Sequence, residues 1–137
     1  MDRTASTLPS SLPELLQAPS SVNGVGIFAT RDLIEGYVVG IIEGPVVSYE
    51  DATDFAIEPT AGLYIETEPP YRYINHSCYP NLELLGLRAL VTRRAIRAGA
   101  ELFLDYSTFI HDHWTMNCLC GTSACRGVIS GSTILRL

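Results

Sequence analysis

The chain carries four cysteines, three of them within Cys118-Leu119-Cys120-Gly121-Thr122-Ser123-Ala124-Cys125 and the fourth, Cys78, far upstream. Four thiolates are the ligand set of a closed, tetrahedral, structural zinc ion, which keeps no open position for water or substrate. Gly121 gives the chain freedom to bend tightly, so that two neighbouring sulfurs can face one point. Cys78 would then tie the tail to the body of the domain. Buried free thiols and disulfides are the alternatives, and a reducing cell interior disfavours disulfides.

A second group of chemical residues surrounds Cys78, in Arg72-Tyr73-Ile74-Asn75-His76-Ser77-Cys78-Tyr79-Pro80-Asn81. An amide, an imidazole and a thiol in succession are unusual for a core strand, because each buried polar group needs a partner. A Pro-Asn turn with a satisfied histidine is the plain reading. A Cys-His nucleophile pair is disfavoured, since neither His76 nor Cys78 has an evident acidic or amide orienter nearby. His111 and His113 flank Asp112 and could hold a second metal, but a solvated loop explains them better.

The elements that position these groups read as short strands between turns. Apolar and β-branched runs fall at Gly26 to Ala29, Tyr37 to Glu43, Leu63 to Glu66, Leu82 to Leu85, Ala89 to Arg93 and Leu102 to Asp105. Eleven Gly and eight Pro separate them. Ser48 with Asp51 three residues on marks one short helix start. The fold class is therefore mostly β with little helix. Residues 1–22 read as a flexible arm, with one or two helical turns suggested by Leu12, Leu15 and Leu16. The folded domain is expected to begin at Asn23. No internal repeat or low-complexity tract is found.

At 137 residues, 47% hydrophobic and 18% charged, the chain suits one compact domain. It contains neither an apolar run of about 20 residues that would span a membrane nor a basic-then-apolar N-terminal signal. A soluble, intracellular protein is expected. Nine Lys plus Arg against fifteen Asp plus Glu give a formal charge of −6. That balance repels nucleic-acid phosphates, disfavours a direct nucleic-acid partner and attracts cationic ones such as lysine-rich peptides.

In these residues the chain resembles the SET-domain family of protein-lysine methyltransferases. Gly24-Val25-Gly26-Ile27-Phe28-Ala29 is similar to that family's opening Gly-x-Gly motif, and Arg72 to Asn81 to its Asn-His-Ser-Cys block. Glu101-Leu102-Phe103-Leu104-Asp105-Tyr106 resembles its Glu-Leu-x-x-Asp-Tyr motif, and Asn117 to Gly127 its zinc-binding post-SET tail. The resemblance implies a fold of short curved sheets with a C-terminal pseudoknot, in which two crossing segments bring the Asn75 block to Tyr106. It divides the chain into the arm at 1–22, a SET domain at 23–109 and a post-SET tail at 110–137. It also implies that Cys78, Cys118, Cys120 and Cys125 share one structural zinc ion.

By the same resemblance the activity is methyl transfer from S-adenosylmethionine to a lysine amine of a histone or other basic protein. Asn23, Gly24, Val25 and Gly26 would offer main-chain groups to the cofactor's methionine end, with further main-chain contacts from Arg72 and Tyr73. Asn75 and His76 would hold its two ends through directed hydrogen bonds, and Leu119 would pack on the adenine. Tyr106 would be the catalytic tyrosine, also touching the cofactor, while Asp105 anchors the backbone. Leu104, Tyr64 and Phe109 would line the lysine channel.

Three departures from the family pattern matter. Leu104 stands where Phe or Tyr is usual, which leaves space for di- or trimethylation. Ile42 replaces a channel tyrosine, and the insert between Glu50 and Tyr71 is short, so peptide specificity would rest on a brief contact, a partner or a dimer surface. A monomer or homodimer, in the cytoplasm or in a nucleus, fits this reading. The rival function is a catalytically silent SET-like module that binds basic tails.

Overall fold

The computed structural model describes residues 15–108, 115–118 and 120–130. Among them there is no α-helix, and no helix is long and apolar enough to cross a membrane. The strands are short: β1 (Leu15–Pro19), β2 (Val25–Ala29), β3 (Val38–Ile41), β4 (Val46–Val47), β5 (Ala56–Thr60), β6 (Leu63–Glu66), β7 (Asn75–His76), β8 (Leu82–Leu85), β9 (Ala89–Thr92), β10 (Phe103–Leu104), β11 (Thr115–Asn117) and β12 (Val128–Ser130). They form small sheets in the orders β1-β2, β3-β9-β8, β4-β6-β5, β10-β7 and β11-β12.

The expected flexible arm does not run to residue 22. Leu15–Pro19 pairs antiparallel with β2, from Leu15 against Ala29 to Pro19 against Val25. The loop between them closes through Ser20, whose N–H donates to Gly24 O and whose Oγ accepts from the N–H groups of Val22 and Asn23. Leu15 packs against the core while Leu16 is 53% exposed, and it is the pairing with β2, not a burial alternation, that makes this stretch a strand. The short helix start is present as a 3-10 turn, Tyr49–Asp51, capped by Ser48 Oγ accepting from Asp51 N–H at 3.2 Å.

One core joins the sheets. Ile27, Leu33, Val39, Ile65, Leu82, Leu90 and Leu102 are almost wholly buried in it. Each such side chain contributes about 1.5–3 kcal/mol relative to exposure. Ile42, which stands where the family often has a channel tyrosine, belongs to this core, at 2% exposure.

The pair that matters most for function is β7 with β10, which run parallel, Asn75 beside Phe103 and His76 beside Leu104. Ser77 N–H extends it by donating to Leu104 O at 3.0 Å. Asn81 locks its far end, donating from Nδ2 to Glu101 O and accepting at Oδ1 from Phe103 N–H. The crossover between the two strands is the β8–β9 hairpin, which pairs onto β3. The two motif segments thus meet in the expected pseudoknot arrangement.

Gly44 shows how tightly the neighbouring sheet is closed. Its φ is +145°, and a Cβ there would lie 1.8 Å from the carbonyl oxygen of Glu66. Backbone has no rotamer by which to retreat. Gly44→Ala is expected to destabilise the fold by at least about 2 kcal/mol, read as a lowered urea midpoint at unchanged slope.

Candidate active site and metal centre

The four cysteine sulfurs lie within 4.8 Å of one another, although Cys78 comes from the body and the others from the tail. β11 and β12 form the stem of that tail, and Cys118 N–H donates to Gly127 O at 2.7 Å. Gly121, between the ligands, has φ +75°, the left-handed conformation that glycine adopts freely. Thiolates about 2.3 Å from a tetrahedral zinc lie about 3.8 Å apart, and Cys78 Sγ is 3.6 Å from Cys118 Sγ. No disulfide joins any of them. The donor set and spacing therefore fit a four-thiolate zinc ion.

His76 adjoins this centre. Its Nδ1 accepts from the N–H of Tyr106 at 3.0 Å, so in the neutral ring the proton sits on Nε2, which is 3.4 Å from Cys78 Sγ. Burial pushes the imidazole down to about 4, with Asp105 opposing and Arg126 reinforcing the shift. The orienter that sequence reasoning did not find is thus a main-chain N–H. It makes His76 a donor toward the sulfur rather than a base that could activate it. Both ring nitrogens have partners inside the protein, so the hydrogen bonds expected from His76 to a cofactor fall more naturally to its main chain.

Asn75 is held differently. Its Nδ2 donates to Asn23 O at 3.0 Å, Val25 O at 3.2 Å and Glu101 Oε2 at 2.9 Å. This fixes the amide's orientation and leaves its carbonyl oxygen as the group to offer a ligand. The arrangement brings Asn23, Val25 and Gly26 of the Gly-x-Gly segment to Asn75. Ser20 Oγ binds both oxygens of the Glu101 carboxylate, at 2.8 and 3.0 Å. A Cβ at Gly26 would meet Glu101 Oε2 at 2.3 Å, so a larger residue there would have to displace that carboxylate. Glu101 and Ser20 belong to this hydrogen-bonded group, and the sequence alone does not single them out. Glu101 stood inside a quoted motif, whereas nothing marked Ser20.

Tyr106 opens the 3-10 turn Tyr106–Thr108, and its hydroxyl donates to Ile74 O. Its ring stands edge-on to His76, centroids 5.4 Å apart. Burial, and then the Glu101 carboxylate, raise its hydroxyl above the ordinary tyrosine range, so it stays protonated at any assay pH. Its proton is given to Ile74 O, so the oxygen keeps accepting capacity. Such a group can receive a cationic or partly positive atom, but it cannot act as a base.

Arg72 and Tyr73 spend their N–H groups on Glu68 O and Pro70 O, which leaves their carbonyls as the main-chain groups able to meet a ligand. The Arg72 guanidinium turns away, donating to Thr67 O and lying over Phe55, 4.2 Å from its ring centroid. Leu104, 5% exposed, lines a cleft of about 290 Å³ with Pro59, Pro80, Leu82, Leu84 and Asp105. Tyr64 is not at that cleft; its ring packs against Tyr49, centroids 5.5 Å apart. Phe109, His111, His113, Trp114 and Leu119 lie outside the described residues.

The SET domain family model matches residues 24–107, which include the Gly-x-Gly segment, the Asn75 block and Tyr106. The chain belongs to the SET-domain family. This SET domain is 33% identical over 94 residues to histone-lysine N-methyltransferase ash1 of Drosophila melanogaster, an alignment covering 61% of the chain and 4% of ash1. It is 39% identical over 66 residues to histone-lysine N-methyltransferase set-2 of Caenorhabditis elegans, covering 43% of the chain and 4% of set-2. With methyltransferase flvH of Aspergillus flavus the identity is 36% over 84 residues, covering 56% of the chain and 46% of flvH. The chain thus spans a small part of the larger relatives. Among solved structures, KRYPTONITE, crystallised with mCHG DNA and SAH, has the same fold at TM-score 0.68 and 24% identity, covering 80% of this SET domain and 27% of KRYPTONITE.

The metal geometry has a direct consequence. Purified under reducing conditions, the SET domain is expected to hold one zinc per chain by plasma emission spectrometry. Cys78→Ser should lose it, because the body supplies this one ligand and the tail alone presents only three. Retention of a full equivalent in that variant would refute the four-thiolate site.

Proposed function

We propose that this SET domain is a protein-lysine N-methyltransferase that uses S-adenosylmethionine, with Tyr106 at the reaction centre and a structural zinc on Cys78, Cys118, Cys120 and Cys125. The observation that carries this reading is the convergence of Asn75, Glu101 and Tyr106 across the β7–β10 pair, with the Asn75 amide held by Glu101 and the Tyr106 hydroxyl by Ile74 O. Names of relatives such as histone-lysine N-methyltransferase ash1 support the reaction class. A formal charge of −6 favours a histone tail or another basic peptide as substrate.

In this reading the cofactor supplies an electrophilic methyl group on a sulfonium. The Asn23 to Gly26 segment and the Asn75 carbonyl oxygen receive its amino-acid end, with main-chain groups of Arg72, Tyr73 and His76 alongside. Leu119, between two of the cysteines, would be the residue to pack on the adenine. The Tyr106 oxygen faces the transferring methyl and the incoming amine, so catalysis is orientation within a fixed polar frame. Leu104, which lines the cleft, would contribute bulk without a hydroxyl to hold water. That makes room for more than one methyl group, so a mass-spectrometric time course should pass beyond monomethyl-lysine.

The decisive experiment is transfer of label from S-adenosylmethionine to histone and lysate proteins, with Tyr106→Phe as control. Label on lysine that falls at least about 100-fold in the variant is the expected result. Cofactor binding without transfer by the wild type to any basic protein would favour the silent binding module instead. The pH profile is a second check. The lysine amine must be neutral to attack, and its ordinary pKa is about 10.4. His76 is already neutral above about pH 4, and Tyr106 keeps its proton. Neither of these two side chains changes its protonation state in between, so kcat/KM should climb steadily with pH through the neutral and mildly alkaline range. A flat profile there would contradict rate control by the amine.

A further inference from the structure

One side chain grips both the metal centre and the reaction centre. Arg126 follows the zinc-ligand candidate Cys125, and its main-chain N–H donates to Cys78 Sγ at 3.3 Å while its Nε donates to the same sulfur at 3.4 Å. The far end of the guanidinium reaches the opposite way. Nη1 donates to Ser107 Oγ at 3.0 Å and Nη2 to Asp105 Oδ1 at 2.7 Å. Asp105 and Ser107 are the residues immediately before and after Tyr106.

The network closes on itself. Asp105 Oδ1 also accepts from Ser107 N–H at 3.1 Å and from Ser107 Oγ at 2.7 Å. Ser107 Oγ therefore donates to the carboxylate while accepting from Arg126, which uses the hydroxyl in both senses. A parallel link runs from Cys78 Sγ through the His76 ring to Tyr106 N–H. Both links begin at one sulfur and end on the segment 105–107.

We infer that Arg126 is a positioning residue that clamps segment 105–107 to the Cys78 sulfur, so that the metal centre holds the Tyr106 hydroxyl in place as well as closing the tail. The inference rests on the reading of Tyr106 as the reacting-centre tyrosine. It follows from how short the element carrying that residue is. β10 is two residues long and gives way to a single 3-10 turn, so few ladder bonds constrain the tyrosine. The planar guanidinium offers donors in a fixed fork, able to serve the sulfur on one edge and two oxygens on the other. A lysine ammonium has no such second edge. Four thiolates on a divalent ion leave two negative charges, and N–H donors to such sulfurs both orient them and offset the charge. The Arg126 side chain is 39% exposed, so its pair with Asp105 adds little global stability and the consequence of losing it is local.

The test uses the zinc-loaded protein with Arg126→Met, Arg126→Lys and Ser107→Ala. Measured are zinc per chain, the dissociation constant for S-adenosylhomocysteine, kcat and KM, and hydrogen exchange of the Tyr106 and Ser107 amides. In both Arg126 variants zinc should stay at one equivalent and cofactor binding should hold, while kcat falls about tenfold or more with KM little changed. Exchange at 106–107 should quicken, and Lys should not rescue it. Ser107→Ala should move in the same direction by less, because one of the two oxygen partners remains. Unchanged exchange at 106–107, or full rescue by Lys, would overturn the clamp; so would loss of zinc in step with loss of protection, which would make Arg126 a keeper of the metal. If the wild type transferred no methyl at all, the proposed activity would fail while exchange and zinc content still decided the clamp.

Discussion

Two parallel rungs, Asn75 beside Phe103 and His76 beside Leu104, hold together everything that this domain proposes to do. Parallel pairing needs a long crossover and is weaker per residue than antiparallel pairing, so a two-residue ladder cannot stand alone. It persists because the side chains around it are fully occupied. Leu102 and Leu104 are buried in the core, and Asn81 spends both ends of its amide on the β10 backbone. Without that pair, Asn75 would have no Glu101 to orient it, and His76 would have no Tyr106 N–H to fix its ring.

How far the sequence reveals this follows from the range of the interactions. Leu63–Glu66 and Leu82–Leu85 appear at their expected bounds because a turn glycine at positive φ borders each apolar run, Gly62 before the first and Gly86 after the second. β5 escaped the reading because Glu58 and Pro59 look like loop residues. Yet Glu58 is wholly buried, with Gly62 N–H donating to its carboxylate at 2.8 Å. β7 is polar and two residues long, so no periodicity could mark it; only its partner strand makes it a strand. β1 was mistaken for part of an arm because Leu12, Leu15 and Leu16 suit helical spacing until β2 is known to lie alongside.

The site divides the same way. Four cysteines in a triplet-plus-one pattern announce a metal from local spacing alone. Glu101 and Arg126 each sit within a legible motif, but what they do depends on contacts no spacing encodes. The Ser20 hydroxyl meets the Glu101 carboxylate from 81 residues away. Arg126 reaches Asp105 and Ser107 only because the tail folds back over the body. Motifs show which residues are chemical, and tertiary contact decides which of them remain available for chemistry.

Charge is the last step of the argument. Around Tyr106 the ionisable groups are arranged to keep one state across the working pH range. His76 is neutral through burial, and Tyr106 is protonated through burial and the nearby Glu101 charge. Burial alone would raise Asp105, but hydrogen bonds from Arg126 and Ser107 outweigh it and hold the carboxyl below its ordinary range. A reaction that moves a positive charge from a sulfonium to an amine changes no net charge in the site. Such a reaction gains from fixed dipoles and fixed carboxylates, and loses from any group that would take up or release a proton partway. A frame in which His76, Asp105 and Tyr106 each keep one protonation state suits that transfer better than it suits hydrolysis, which needs a base to activate water.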